Sequence, residues 1–186
     1  MKKKRLLERI EAGDEAVFRE LFEAHHAAVF NLCFRMLGDL QETEDITQEV
    51  FFKAFLMLSK FRGESEISTW LYRIAVNLCL NHQRRKRYKK ILSLDFLIEK
   101  GNQQAGDQGK GPMEELTRKE KKLLIKKSID SLTKNQRIAV ILNHYEGLPY
   151  REISEVMGLS VSSVRSLLYR AKQRLQNKLS SSLENI

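Results

Sequence analysis

Little in this chain of 186 residues interrupts a helix or staples one in place: it has two prolines, two cysteines, nine glycines and one tryptophan. Cys33 and Cys79 sit in near-identical settings, Asn-Leu-Cys-Phe and Asn-Leu-Cys-Leu. Two such cysteines make no disulfide framework and point to a reducing compartment, with both side chains in the core. No apolar run is long enough to span a membrane. The opening Met-Lys-Lys-Lys-Arg passes at once into Leu-Leu-Glu-Arg-Ile-Glu without the apolar stretch of a signal peptide. Membrane insertion is therefore not expected, and a cytoplasmic location is. Histidine is scarce too. His25 and His26 are adjacent and so face different directions on a helix, while His82 and His144 fall in different halves of the chain. That leaves no metal-ligand or triad spacing, so no catalytic residue, metal or cofactor is expected.

Alternation at period two is also missing, and apolar residues recur at helical spacing almost throughout, which predicts an all-α protein. The exception is 99–112, Glu-Lys-Gly-Asn-Gln-Gln-Ala-Gly-Asp-Gln-Gly-Lys-Gly-Pro, polar and glycine-rich with nothing to bury. It reads as a tether within a linker over 93–117, between helical domains at 1–92 and 118–180. Each is large enough for a workable helical core. Charge separates the two. Lys and Arg outnumber Asp and Glu by 33 to 24, a formal charge of +9 that favours a polyanionic partner. Yet residues 8–49 hold eleven acids against three bases, and 118–178 hold fourteen bases against five acids. The acidic end is built for something other than nucleic acid.

The basic end carries the clearest motif. Residues 147–176 read as two helices joined by a glycine-containing turn. Ile153, Val156 and Met157 line the first; Val164, Leu167, Leu168, Ala171 and Leu175 line the second. Gly158 suits a left-handed C-terminal position, and Ser160 can cap the helix that follows. Ser162, Ser163, Arg165, Ser166, Tyr169, Arg170 and Lys172 are left for the outside. Arginine can grip guanine bidentately, hydroxyls and an aromatic ring can reach phosphate or base edges, and lysine neutralises phosphate, so this face suits the major groove. Upstream, Leu116, Leu123, Leu124, Ile129 and Leu132 mark a supporting helix. Thr133 to Gln136 form a capping box that opens a helix through Ile138, Ala139, Ile141 and Leu142 to Gly147. Pro149 fits the first position of the next helix.

In the acidic half, Asp14 can cap a long helix ending at Gly38, and Thr43, followed by Glu44 and Asp45, can cap the next. That helix carries Ile46, Val50, Ala54 and Met57 on one side and Asp45, Gln48, Glu49 and Phe52 on another. Carboxylates flanking a phenylalanine suit docking onto a basic protein surface. After the loop Lys60 to Glu66 comes a helix with Ile67, Leu71, Ile74, Ala75 and Leu78 as its buried stripe. Trp70, Arg73, Asn77, Asn81 and Arg84 lie opposite, running out into Arg84-Arg85-Lys86-Arg87. Cations beside an aromatic and asparagines suit a DNA strand, neutralising phosphate and stacking on bases.

Together these segments resemble an extracytoplasmic-function (group IV) sigma factor of the sigma-70 family, a promoter-specificity subunit of bacterial RNA polymerase. Asp45 through Phe55 looks like the family's polymerase-binding helix, Phe61 through Asn77 like its −10 recognition and melting segment, and Leu132 through Leu175 like its −35-binding domain. The resemblance implies that Asp45, Gln48 and Glu49, with Phe52 beside them, engage the β′ clamp coiled coil. It implies that Phe61 and Asn77 handle an unstacked base, with Arg62, Trp70, Arg73 and Arg84 on the same strand. It also sets Arg165, Ser166, Tyr169 and Arg170 on the −35-reading helix. Core polymerase through β′ and β, promoter DNA and an anti-sigma factor are the implied partners. The loop Glu64-Ser65-Glu66 is more acidic than in many relatives. The alternative function is a helix-turn-helix regulator with an N-terminal helical sensing domain; an enzyme fits worst.

Overall fold

The computed structural model describes residues 3–12, 14, 16–94, 128–129 and 131–183. Among these the chain is helical without a strand: α1 (Lys3–Glu11), α2 (Ala16–Leu37), α3 (Leu40–Met57), α4 (Ile67–Leu94), α5 (Lys134–Val140), α6 (Tyr150–Met157) and α7 (Val161–Leu183). The expected tether, and Leu116, Leu123 and Leu124 of the supporting helix, lie outside the described residues.

Helices α2, α3 and α4 pack against one another in pairs. Val29, Leu32, Cys33 and Met36 of α2, Ile46, Val50, Phe51 and Ala54 of α3, and Leu71, Ala75, Leu78 and Cys79 of α4 form the core. Truncating a fully buried Leu32 or Leu71 to alanine removes about 2–5 kcal/mol in cores of this kind. The two cysteines are free and buried, as core residues. The thiol of Cys79 is held above its ordinary range by its hydrogen bond with Cys33 and by burial.

Helix ends follow local chemistry. Asp14 Oδ1 accepts from Ala16 N at 3.0 Å to start α2, and Gly38, at φ 76°, ends it. Asp39, rather than Thr43, caps α3: its Oδ1 accepts from Glu42 N at 2.9 Å. Asp39 follows the stop directly, so the helix begins a turn earlier than expected, and Thr43 is buried within it, donating its hydroxyl to the Asp39 carbonyl. Met57 also differs from expectation. It is exposed, because the helix tightens into a 3-10 turn at Leu58–Lys60 and rotates away from the Ile46–Val50–Ala54 stripe.

Short α1 lies across the start of α2. Leu6 joins Val17 and Phe61 in a small second cluster. Arg9 clamps it in place, with Nε 2.6 Å from Asp14 Oδ2 and Nη1 2.8 Å from Glu20 Oε2.

In the second half the capping box is present: Gln136 N donates to Thr133 Oγ1 at 3.4 Å, and Thr133 N donates to Gln136 Oε1 at 3.0 Å. Past α5 the helix widens into a π turn, Ile141–Tyr145, before Gly147 reverses the chain at φ 67°. Pro149 stands one place earlier than expected, as the N-cap of α6 with an extended backbone.

The halves are packed together. Tyr72 and Val76 of α4 share one continuous buried cluster with Ile141, Leu148, Ile153 and Val164. Helix α4 therefore buries a second stripe, Thr69, Tyr72 and Val76, that its polar–apolar pattern did not predict.

Candidate functional site

Two helices without a single acidic residue carry the surfaces of interest. Helix α4 has none in 28 residues and α7 none in 23. The outer row of each is cationic, and neither helix has a carboxylate of its own to compete with an incoming phosphate.

On α4, Arg73, Asn77, Asn81 and Arg84 are exposed along one side, at the i, i+4 and i+3 spacing that aligns side chains on a helix. Arg62 in the preceding loop is exposed as well. Phe61 and Trp70 are placed differently. Their rings pack against each other at 5.3 Å and 51°. Phe61 is only 8% exposed beneath Leu6 and Val17, and Trp70 is half-buried against both core clusters. Sequence reasoning set both beside Asn77 as base-handling groups; in the fold Asn77 is open and Phe61 is covered.

The α6–α7 unit has the geometry expected of a helix-turn-helix. Gly158 closes α6 in the left-handed conformation, φ 64°, ψ 36°. Gly158, Leu159 and Ser160 form the turn, and Ser163 N donates to Ser160 Oγ at 3.2 Å to cap α7. Ile153, Val156, Val164 and Ala171 are buried between the helices. Ser162, Ser163, Arg165, Tyr169, Arg170 and Lys172 are exposed and Ser166 partly so, which brings all seven onto the outer half of one helix. Arg170 Nη2 donates to Ser166 Oγ at 2.9 Å, and Gln173 Nε2 to Tyr169 Oη at 2.9 Å, so these side chains are pre-oriented along the helix. Arg165 and Lys172 stand at the lip of an apolar groove of about 610 Å³, floored by Ile129, Val140, Leu168 and Leu175.

The third surface is on α3. Asp45 and Gln48 are exposed, Glu49 partly so, with Lys53 Nζ 3.0 Å from its Oε1. Phe52, 62% exposed, continues the row, and Phe55 and Leu56, at 58% and 57%, extend it. Those last two escaped sequence reasoning, although their i+3 and i+4 spacing from Phe52 would have found them. Three large apolar side chains beside carboxylates on one helix make a contact surface, because isolated soluble folds rarely leave such a patch uncovered.

The histidines do not converge. His26 stacks among Phe22, Phe30 and Phe51, His82 lies beside Glu42, and His144 packs on Tyr145. Among the described residues no group of three or more His, Cys, Asp or Glu side chains is gathered for a metal, and no helix is long and apolar enough to cross a membrane.

Residues 21–88 match Sigma-70 region 2, and residues 122–175 match Sigma-70, region 4. The RNA polymerase sigma-H factor of Pseudomonas aeruginosa is 34% identical over 178 residues, 94% of this chain and 92% of that one. The ECF RNA polymerase sigma-E factor of Escherichia coli K12 is 34% identical over 183 residues, again 94% and 92%. Among solved structures, CnrH in complex with the cytosolic domain of CnrY aligns at a TM-score of 0.69 and 21% identity, over 96% of this chain and 97% of that one. The sigma factor RpoE in complex with the anti-sigma factor NepR from Bartonella quintana aligns at 0.65 and 24%, over 88% and 96%. At those identities the two structures show a shared fold.

Proposed function

The chain belongs to the extracytoplasmic-function sigma factors of RNA polymerase, the subunits that direct transcription initiation to promoters, and we propose that it divides the promoter between α4 and α7. Helix α4 takes the −10 element through Arg62, Arg73, Asn77 and Arg84, with Trp70 at the edge of the row and Phe61 supporting Trp70 from beneath. Helix α7 takes the −35 element through Ser162, Ser163, Arg165, Ser166, Tyr169, Arg170 and Lys172. Core polymerase docks on Asp45, Gln48, Glu49 and Phe52 through β′, and the groove beside α7 receives an apolar segment of the β subunit. Placement in group IV, with domains at 1–92 and 118–180 about a linker at 93–117, is part of the same proposal. An anti-sigma factor is proposed as a further partner, by extension from the RpoE and CnrH complexes.

The observation that carries this reading is the pair of acid-free helices whose exposed rows are cationic, together with a third surface, on α3, that is acidic and aromatic. Nucleic acid and a basic protein surface are the partners that fit each. Mixing the purified chain with core polymerase and promoter-bearing DNA is expected to create new transcription start sites; none at saturating chain would refute it.

Arg165 and Lys172 separate two ways of holding DNA. Neither makes a hydrogen bond or ion pair among the described residues, so each is available. Arg165→Ala is expected to relax sequence preference at one base pair and cost roughly 1–3 kcal/mol, the scale of a lost bidentate base contact. Lys172→Ala is expected to weaken binding to every sequence alike and lower the salt slope by about one ion. Titrating matched and mismatched −35 duplexes at several salt concentrations checks both. Uniform losses for both variants would assign Arg165 to phosphate.

A further inference from the structure

Where the later turns of α4 meet α5 there is a cavity of about 460 Å³, within the range of about 300–1,000 Å³ common to small-molecule sites. Part of its wall is apolar: Leu80, Leu132 and Ile138 line it, and the last two are buried. Another part is cationic, with Lys86 and Arg87 contributed by α4 and Lys134 and Arg137 by α5. No Asp or Glu among the described residues lines it. Local chemistry sets where these side chains emerge. The capping box at Thr133 fixes the first turn of α5, and Lys134 and Arg137, three residues apart, share a face of it. On α4, Gln83 Nε2 donates to the Met36 carbonyl at 2.8 Å, holding this stretch against the end of α2. Lys86 pairs with Glu42 of α3, which lines no part of the cavity. Lys134 is held below its ordinary range, first by burial and then by the charges of Arg87 and Arg84. Positive charge is crowded at this wall.

Two kinds of wall in one concavity suit a ligand with two kinds of end. Inorganic phosphate would use the cations and leave the apolar residues uncovered. A duplex keeps its bases stacked, so its backbone would meet the exposed Lys86, Arg87 and Lys134 and place nothing against the buried Ile138. A nucleotide satisfies both. Arginine and lysine give phosphate oxygens charge-assisted hydrogen bonds, and the flat face of a base gains by covering aliphatic side chains. One phosphate monoester carries only about −1.5 to −2 at neutral pH, so cations from two helices call for at least two phosphates.

We propose that this cavity binds a nucleotide carrying at least two phosphates, with Arg87, Lys134 and Arg137 on the phosphates and Leu80 and Ile138 against the base. The bound anion relieves the like charge that Arg84, Arg87 and Lys134 impose on one another, so it also stabilises the folded chain. The site stands apart from the promoter reading, since none of the five residues that hold the ligand belongs to the −10 or −35 row.

The test uses the full chain, titrated by calorimetry with ADP, GDP, AMP and pyrophosphate. ADP or GDP is expected to bind at one site, about tenfold or more tighter than AMP, which lacks the second phosphate, and than pyrophosphate, which lacks the base. Arg87→Glu and Lys134→Glu should each weaken the nucleotide about tenfold or more, the scale of a lost charge-assisted hydrogen bond. Both side chains are exposed, so helical circular dichroism should be unchanged. Arg174→Glu makes the same charge change on α7, where it lines no part of the cavity, and should alter affinity by less than about twofold. Saturating ADP should raise the melting midpoint of the wild-type chain and leave that of Lys134→Glu in place. Pyrophosphate binding as tightly as the nucleotides would reduce the site to a patch for any anion and overturn the proposal. So would absent nucleotide binding, unaltered affinity in folded Arg87→Glu and Lys134→Glu chains, or an equal loss in Arg174→Glu. Displacement of ADP by one equivalent of a duplex without promoter elements would assign the wall to DNA phosphate, and the nucleotide site would fall with it.

Discussion

Reversing the charge of Asp45 and Glu49 together is expected to weaken core polymerase binding about 100-fold, with the thermal midpoint of the free chain nearly unmoved. Asp45 is exposed and Glu49 partly so, and the one ion pair lost is the Glu49–Lys53 contact within α3. An exposed i, i+4 pair contributes only about 0.3–0.5 kcal/mol, so the fold should tolerate both changes. Binding should not. Like charges brought together across an interface cost several kcal/mol, and a basic partner would meet two lysines where it had met two carboxylates. Phe52→Ala should add a loss of about 2 kcal/mol if its ring fills a pocket on the partner. Fluorescence anisotropy against core polymerase, beside melting curves of the free variants, measures the two effects. Unchanged affinity with an intact fold would remove this face from the polymerase contact.

What could be read from the chain without its fold was whatever is decided within a few residues. The capping box at Thr133 and Gln136, the left-handed stop at Gly158 and the serine cap at Ser160 each depend on neighbours close in sequence, and each is found where its chemistry requires. Asp39 and Thr43 show the limit of that logic. Both are good caps, and the choice falls to Asp39 because Gly38 ends the preceding helix immediately before it. Burial by distant segments was not legible. Thr69, Tyr72 and Val76 are covered by the other half of the molecule, with partners such as Glu152, 83 residues from Thr69, and Glu146, 74 residues from Tyr72. A polar-tinged stripe with a partner that far away looks like a solvated face. Phe61 is hidden for the same reason: its cover, Leu6, belongs to an N-terminal helix whose own sequence reads mainly as charged. The rows at Arg73, Asn77 and Arg84, and at Ser162 through Lys172, were legible because an exposed cationic face on an acid-free helix needs no partner in the chain to define it.

That difference between Phe61, Trp70 and Asn77 reshapes what strand opening should depend on. A base still paired and stacked has its face covered and its pairing edge occupied, so on this reading Asn77 contributes only after a base has been flipped out. The unpairing cost of a few kcal/mol is then offset by contacts in the protein. Asn77 is exposed and leaves no cavity when shortened. Asn77→Ala is therefore expected to cut initiation from a fully duplex promoter by ten- to a hundredfold, about 1–3 kcal/mol of lost hydrogen bonding. On a template carrying a pre-opened bubble at the start region the loss should be no more than about threefold. Trp70→Ala should behave otherwise. Its ring is half-buried against Phe61 and both core clusters, so truncation is expected to cost about 1–3 kcal/mol of stability and to lower output from both templates alike. Run-off transcription on the two templates, with 2-aminopurine fluorescence reporting opening and a thermal melt reporting the fold, distinguishes the two residues. A template-independent loss in a stably folded Asn77→Ala chain would mean that the exposed row on α4 grips phosphate without capturing a base, and that opening is achieved elsewhere in the initiation complex.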